Sequence, residues 1–227
     1  MGRNMEERFL LHADNVWGIQ VFATDENLTL LRQCRTTYMD ATFKSGPRPY
    51  RQCFTILGNH HGFILPLVHV LKEQRTIGHY RQVFQAVKVA IRRVTHHNWR
   101  PQLVVCDFEN ALKIALETEF PKTRVGGCYF HFNQSLWRRI QKLGLAAPSQ
   151  QDCSLARVIC KLMALGYLPL ALVQMNFTTL VNGRRGNMEL DTHLARQVED
   201  SCQTLHLKKT YANVFTTSSE VNKTKKS

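Results

Sequence analysis

Between residues 36 and 94 the apolar residues change their period from two to about 3.6, a switch that demands a sheet followed by helices. Thr36–Lys44 (TTYMDATFK) is rich in β-branched and aromatic residues and is closed by Ser45-Gly46-Pro47, so it reads as a strand with a firm stop. Gln52–Leu57, ended by Gly58-Asn59, and Ile64–Leu71 read as two further strands. The short turns at 45–49 and 58–62 favour antiparallel neighbours. From Tyr80 onward, Val83, Phe84, Val87, Ala90, Ile91 and Val94 recur at helical spacing. Arg81, Lys88 and Arg92 fall together on the opposite face.

Pro101 breaks that helix before a short buried strand, Gln102–Cys106, which runs straight into Asp107. Glu109–Glu119 reads as a helix, Arg124–Phe130 as a strand, and His131–Leu143 as a helix stopped by Gly144. The order β-β-β-α-β-α-β-α predicts an α/β fold, a mixed sheet with helices on its faces. Helical patterns follow at Leu155–Leu165 and Pro169–Leu180. From about Gln203 the composition turns to Thr, Ser, Asn and Lys, which predicts disorder. The expected organisation is a lead-in over 1–34, with a turn signal at Asp25-Glu26-Asn27, and a core over 35–145. A helical insertion over 146–202 and a basic tail over 203–227 complete it.

Charge narrows the partner. In 227 residues, 30 Lys and Arg stand against 17 Asp and Glu, a net charge of +13. That excludes an acidic disordered protein and favours a polyanionic partner, nucleic acid ahead of membrane. The most apolar stretch, Leu155–Val173, carries Arg157 and Lys161, and its uncharged part is too short to span a bilayer. Seven cysteines without regular spacing or a signal peptide predict reduced thiols in the cytosol or nucleus. The Lys/Arg excess over 72–100 points to a DNA-facing surface. Candidate phosphate contacts are Arg81, Lys88, Arg92 and Arg93, then Arg138, Arg139 and Lys142, then Arg184 and Arg185. Trp99 and Trp137 read as core or interface residues, and His60-His61 and His96-His97 as turn or surface residues.

Asp40 stands in mid-strand, where a carboxylate is costly unless paired, and Asp107 ends the strand after the long helix. If those strands are neighbours, both carboxylates reach one crevice. A divalent cation relieves their repulsion, and hard oxygen donors select Mg²⁺ or Mn²⁺. Taken singly, each has a plainer reading: Asp40 as an edge-strand residue facing water, Asp107 as a helix N-cap.

The motifs D-A-T-F-K at Asp40–Lys44, D-F-E at Asp107–Glu109 and G-C-x-F-H-F at Gly127–Phe132 stand in order along the chain. With the residues around them, from about Phe22 to Leu180, they closely resemble the transposase domain of Mutator-like elements. The resemblance implies a ribonuclease-H-like fold with the start of a helical insertion, and metal-dependent DNA nicking and strand transfer of DDE type. Asp40 and Asp107 become the first two metal-binding acids, and Cys128 and His131 the family's Cys-x-x-His pair. That pair alone lacks the four ligands of a zinc site. Glu109, at the start of a helix, is explained by dipole stabilisation rather than as a third acid.

The third acid is not evident. Glu189, with Asn187 before it and His193 after it, is the weak candidate, and Glu199 a weaker one. The resemblance therefore implies a chain cut short near its third acid. It leaves three readings: an active transposase-derived enzyme, a catalytically inactive DNA-binding or protein-interaction domain from a domesticated or decayed element, or a pseudogene-like product without a stable fold. Partners implied are DNA, a homo-oligomer or a DNA-reading protein, and no membrane; the location implied is the nucleus.

Overall fold

Alternation along the strands and a helical stripe after them meet in one core. The computed structural model describes residues 9–43 and 46–182. Its strands are β1 (Leu10–Asp14), β2 (Ile19–Phe22), β3 (Thr36–Phe43), β4 (Gln52–His60), β5 (Phe63–Lys72), β6 (Leu103–Cys106) and β7 (Arg124–Gly127). Its longer helices are α1 (Asp25–Gln33), α2 (Ile77–Thr95), α3 (Asn110–Glu119) and α4 (Tyr129–Lys142). A short α5 (Pro148–Gln151) precedes α6 (Cys153–Ala164) and α7 (Leu170–Asn182).

The sheet order is β1-β2-β5-β4-β3-β6-β7. Pairing is antiparallel from β1 to β3, and β3 then pairs parallel with β6. This is the mixed, ribonuclease-H-like α/β sheet with flanking helices that the sequence predicts. The parallel step follows from the helical crossover between β5 and β6, since parallel strands need a long connection.

The described residues divide into two compact units, one running to Val125 and one starting at Gly126. In the first, Phe54 and Ile56 of β4, Val68 and Val70 of β5, Met39 of β3 and Val104 and Cys106 of β6 point to one side. Tyr80, Val83, Phe84, Val87 and Ile91 of α2 close over them, with Leu28 and Leu31 of α1 and Leu112 and Leu116 of α3. Thr24 and Thr76 cap α1 and α2 by accepting from the Asn27 and His79 amides. In the second unit, Leu136 and Ile140 of α4 pack with Val158, Ile159 and Leu162 of α6. Asp152 caps α6, accepting from Ser154 and Leu155.

Three local differences from the sequence reading have physical causes. Gly58-Asn59 does not end β4, which continues to His60 and turns at His61-Gly62, both at positive φ. Gly58 serves close packing instead: a Cβ there would lie 2.5 Å from Cys34 Sγ. Arg124–Phe130 is only a strand to Gly127, because Cys128 turns the chain and Phe132 N–H donates to the Cys128 carbonyl to open α4. The lead-in holds β1, β2 and α1, and the turn signal at Asp25 is the capped start of α1. Asp14 makes the β1–β2 connection by accepting from the Val16 and Trp17 amides.

Candidate active site

Backbone register pairs the residues that immediately precede the two aspartates. β3 and β6 run parallel with Thr36 opposite Leu103 and Met39 opposite Cys106. Asp40 is the next residue of β3, and Asp107 the first residue after β6. Met39 and Cys106 are buried under the helices, and alternation along β3 turns Asp40 to the other face of the sheet. Asp40 is exposed and Asp107 half-buried. Asp40 Oδ1 accepts from the Ala41 amide at 2.8 Å, and Asp107 Oδ1 accepts from the Phe108 amide at 2.6 Å.

Asp107 is not the N-cap, and of the plainer reading of Asp40 only the exposure to water holds. β3 lies between β4 and β6, so Asp40 is on an interior strand and not an edge. The N-cap of α3 is Glu109, two residues beyond Asp107. Two carboxylates on adjacent strands supply hard oxygen donors, which suits Mg²⁺ or Mn²⁺ with water completing the shell. Among the described residues no group of three or more His, Cys, Asp or Glu side chains is gathered to hold a metal ion. Glu189, Glu199, His193, Arg184 and Arg185 lie outside the described residues.

Glu109 does not act through the helix dipole alone. Its side chain makes no capping hydrogen bond, and its Oε2 accepts from the Tyr80 hydroxyl at 3.0 Å. Tyr80 also bonds Gln52, and the Lys72 Nζ sits 3.3 Å from the Tyr80 ring centroid. Lys72 is fully buried, so it is no part of the DNA-facing surface expected over 72–100. Burial pushes its ammonium down to about 7, with Glu109 opposing the shift and Arg75 adding to it. Burial, then the Glu109 charge, raises the Tyr80 hydroxyl above its usual range. The sequence carried one sign of this cluster: Lys72 shares the inward phase of Val68 and Val70.

The basic candidates have several settings. Arg81 Nε and Lys88 Nζ each reach a Glu119 carboxylate oxygen at 2.9 Å. Arg93 stands 4.0 Å from Asp25, and Arg92 and Arg138 are exposed while Arg139 is half-buried. Burial alone would raise the Glu119 carboxyl; hydrogen bonds from Lys88, Arg81 and Gln85 prevail and hold it below its usual range. A depressed carboxyl contributes stability above its ordinary pKa and loses it as pH falls through the folded value. Glu119→Gln is therefore expected to cost about 1–2 kcal/mol at pH 7, shrinking toward pH 3, in urea melts.

Cys128 occupies the N-cap position of α4 without a side-chain capping bond, and His131 lies in its first turn. Both are half-buried. Trp99 is core, and Trp137 packs against the α4–α6 cluster. His61 and His96 occupy left-handed turn positions.

Compared with protein families, residues 36–135 match the MULE transposase domain. Over that stretch, under half of the chain, the sequence is similar to the MULE transposase domain. The match is narrower than the Phe22–Leu180 span expected, yet it includes Asp40, Asp107, Cys128 and His131. Comparison with curated proteins returns no significant match. No helix among the described residues is long and apolar enough to cross a membrane.

Proposed function

We propose that this MULE transposase domain binds DNA in the nucleus and retains the elements of DDE-type phosphodiester cleavage and strand transfer. The observation that supports this reading is the β3–β6 register, in which Met39 pairs with Cys106 and Asp40 and Asp107 are the next residues of their segments. In this reading the two aspartates hold Mg²⁺ or Mn²⁺. When bound, such ions activate the attacking water or 3′-hydroxyl and stabilise the leaving oxygen. Asp40 and Asp107 orient that chemistry through carboxylates locked onto their own following amides. Glu189 is the candidate for a third carboxylate. Arg92, Arg93, Arg138 and Arg139 are candidates for phosphate contacts, with Arg81 and Lys88 first committed to Glu119. A second copy of the chain or a DNA-reading protein would supply sequence recognition.

A second reading, a catalytically inactive DNA-binding or protein-interaction domain, is favoured by the want of a third gathered ligand among the described residues. Metal dependence separates the two. The purified chain is expected to nick supercoiled plasmid in Mg²⁺ or Mn²⁺ and to stop when EDTA is added. Salt-sensitive retention of DNA with no nicking in either metal would overturn the enzymatic reading and leave the second.

A further inference from the structure

A buried polar assembly lies on the helix-covered face of the sheet, behind the turn that carries Asp107. Lys72 and Tyr80 are both fully buried. The Lys72 Nζ donates to the Gln74 carbonyl at 3.2 Å and faces the Tyr80 ring at 3.3 Å from its centroid. The single proton of the Tyr80 hydroxyl has two acceptors in reach: Glu109 Oε2 at 3.0 Å and Gln52 Oε1 at 3.4 Å. A carboxylate at the shorter distance takes the proton, and the Gln52 amide nitrogen, also at 3.4 Å, then donates into the hydroxyl oxygen. In its charged form the Lys72 ammonium is attracted to the face of the ring and helps hold it in place.

What this assembly holds is the start of α3. Glu109 is the N-cap residue, yet its side chain leaves the helix amides and reaches to α2. Its backbone carbonyl accepts from Lys113 N–H, so the same residue opens the helix and anchors it. Asp107 stands two residues before it, on the same connection between β6 and α3.

We infer that Tyr80 is a positioning residue: seated on Gln52 and over Lys72, its hydroxyl fixes the Glu109 carboxylate and thereby the turn that keeps Asp107 level with Asp40. The functional weight of this rests on reading Asp40 and Asp107 as the metal-binding pair. Gln52 from β4, Lys72 from β5, Tyr80 from α2 and Glu109 from α3 would act as one unit. Removing the hydroxyl alone should loosen the turn while leaving the ring packed against Phe54 and Lys72.

Hydrogen exchange on the full chain tests this with Tyr80→Phe, Glu109→Gln and the double variant. Amides of residues 108–111 are expected to exchange about tenfold faster or more in Tyr80→Phe, with α2 and β4 unchanged. The double variant should be no faster than Tyr80→Phe alone, because both act on the same bond, which Tyr80→Phe removes and Glu109→Gln reduces to a weaker neutral one. Parallel Mn²⁺ titrations should show affinity falling about tenfold in Tyr80→Phe. Unchanged exchange at 108–111, or acceleration spread evenly through α2 and β4, overturns the proposal. A loosened turn together with Asp107→Asn that still binds Mn²⁺ normally would sustain the positioning role and sink the metal-site reading. The reverse result, an unmoved turn with binding lost in Asp107→Asn, would do the opposite.

Discussion

Asp40→Asn and Asp107→Asn are each expected to lower Mn²⁺ affinity and Mg²⁺-dependent nicking by more than about 100-fold, because even changes to groups behind metal ligands commonly cost about 10–100-fold. Asparagine keeps the shape and the oxygen that accepts from the Ala41 or Phe108 amide, so the strand ends stay as they are. What it removes is charge. Two carboxylates at neighbouring register positions repel each other in metal-free buffer, so neither variant should be less stable than the parent in EDTA. Added Mn²⁺ should then raise the melting temperature of the parent but not of the variants, since only a binding-competent native state gains by mass action. Equal Mn²⁺-induced shifts in all three proteins would sink the metal site even if nicking were too slow to measure. A variant that melts lower in EDTA would instead show that the aspartate is structural.

Part of this site was legible because it depends on strand order alone. Period-two patterning put Asp40 inside one strand and at the end of another put Asp107, and the family motifs tied the two together. The register that pairs the residues before them, Met39 opposite Cys106, is a property of pairing between distant segments. Local sequence holds no record of it. The same limit hid the assembly around Tyr80. Its members come from β4, β5, α2 and the α3 cap, and each has an ordinary local reading: Gln52 as a strand start, Lys72 as a surface charge, Tyr80 as a helix stripe, Glu109 as a first-turn acid. Their meaning appears only when α2 lies across β4 and β5.

The fold shows the same division. The α2 stripe was readable because helical spacing and inward burial coincide from Tyr80 to Ile91. Elements fixed by long-range contacts were not. Ile19 and Val21 make only a short alternation, and β2 acquires its place by pairing with β5 at Ile19–Lys72. Tyr129 and Phe130 have strand-forming side chains, yet they lie in α4 because helix formation begins at the Cys128 carbonyl. Gly58 resembles a stop signal and is instead the one residue small enough to pass Cys34 and Leu67. The basic face of α2 was correctly placed opposite its apolar stripe, but Glu119 at the end of α3 decides what Arg81 and Lys88 bind.

Lys72 makes a prediction about stability that is independent of any catalytic reading. Its ammonium is held near 7 by burial, against an ordinary value of 10.5. Between those two values the unfolded chain binds more protons than the folded one, so stability must rise with pH across the interval. The gain from pH 7 to pH 9 is expected to be about 2 kcal/mol, and it should appear in urea melts as a higher midpoint at an unchanged slope. Other groups bracket this window rather than fill it. His79 is lowered from 6.5 by burial and by Lys72, so its contribution falls away on the acid side. Cys34 is raised from 9.0 by burial and Tyr80 from 10.0, so both begin to cost stability only toward the alkaline end. Lys72→Met fills the same space without a charge. It should flatten the rise between pH 7 and 9 and make the protein about 2 kcal/mol more stable at pH 7, the lost ring contact offsetting part of the relieved desolvation. A Lys72→Met protein with the parent's pH slope would show that Lys72 remains charged across the range, its desolvation met by the Tyr80 ring, the Gln74 carbonyl and the nearby Glu109 charge.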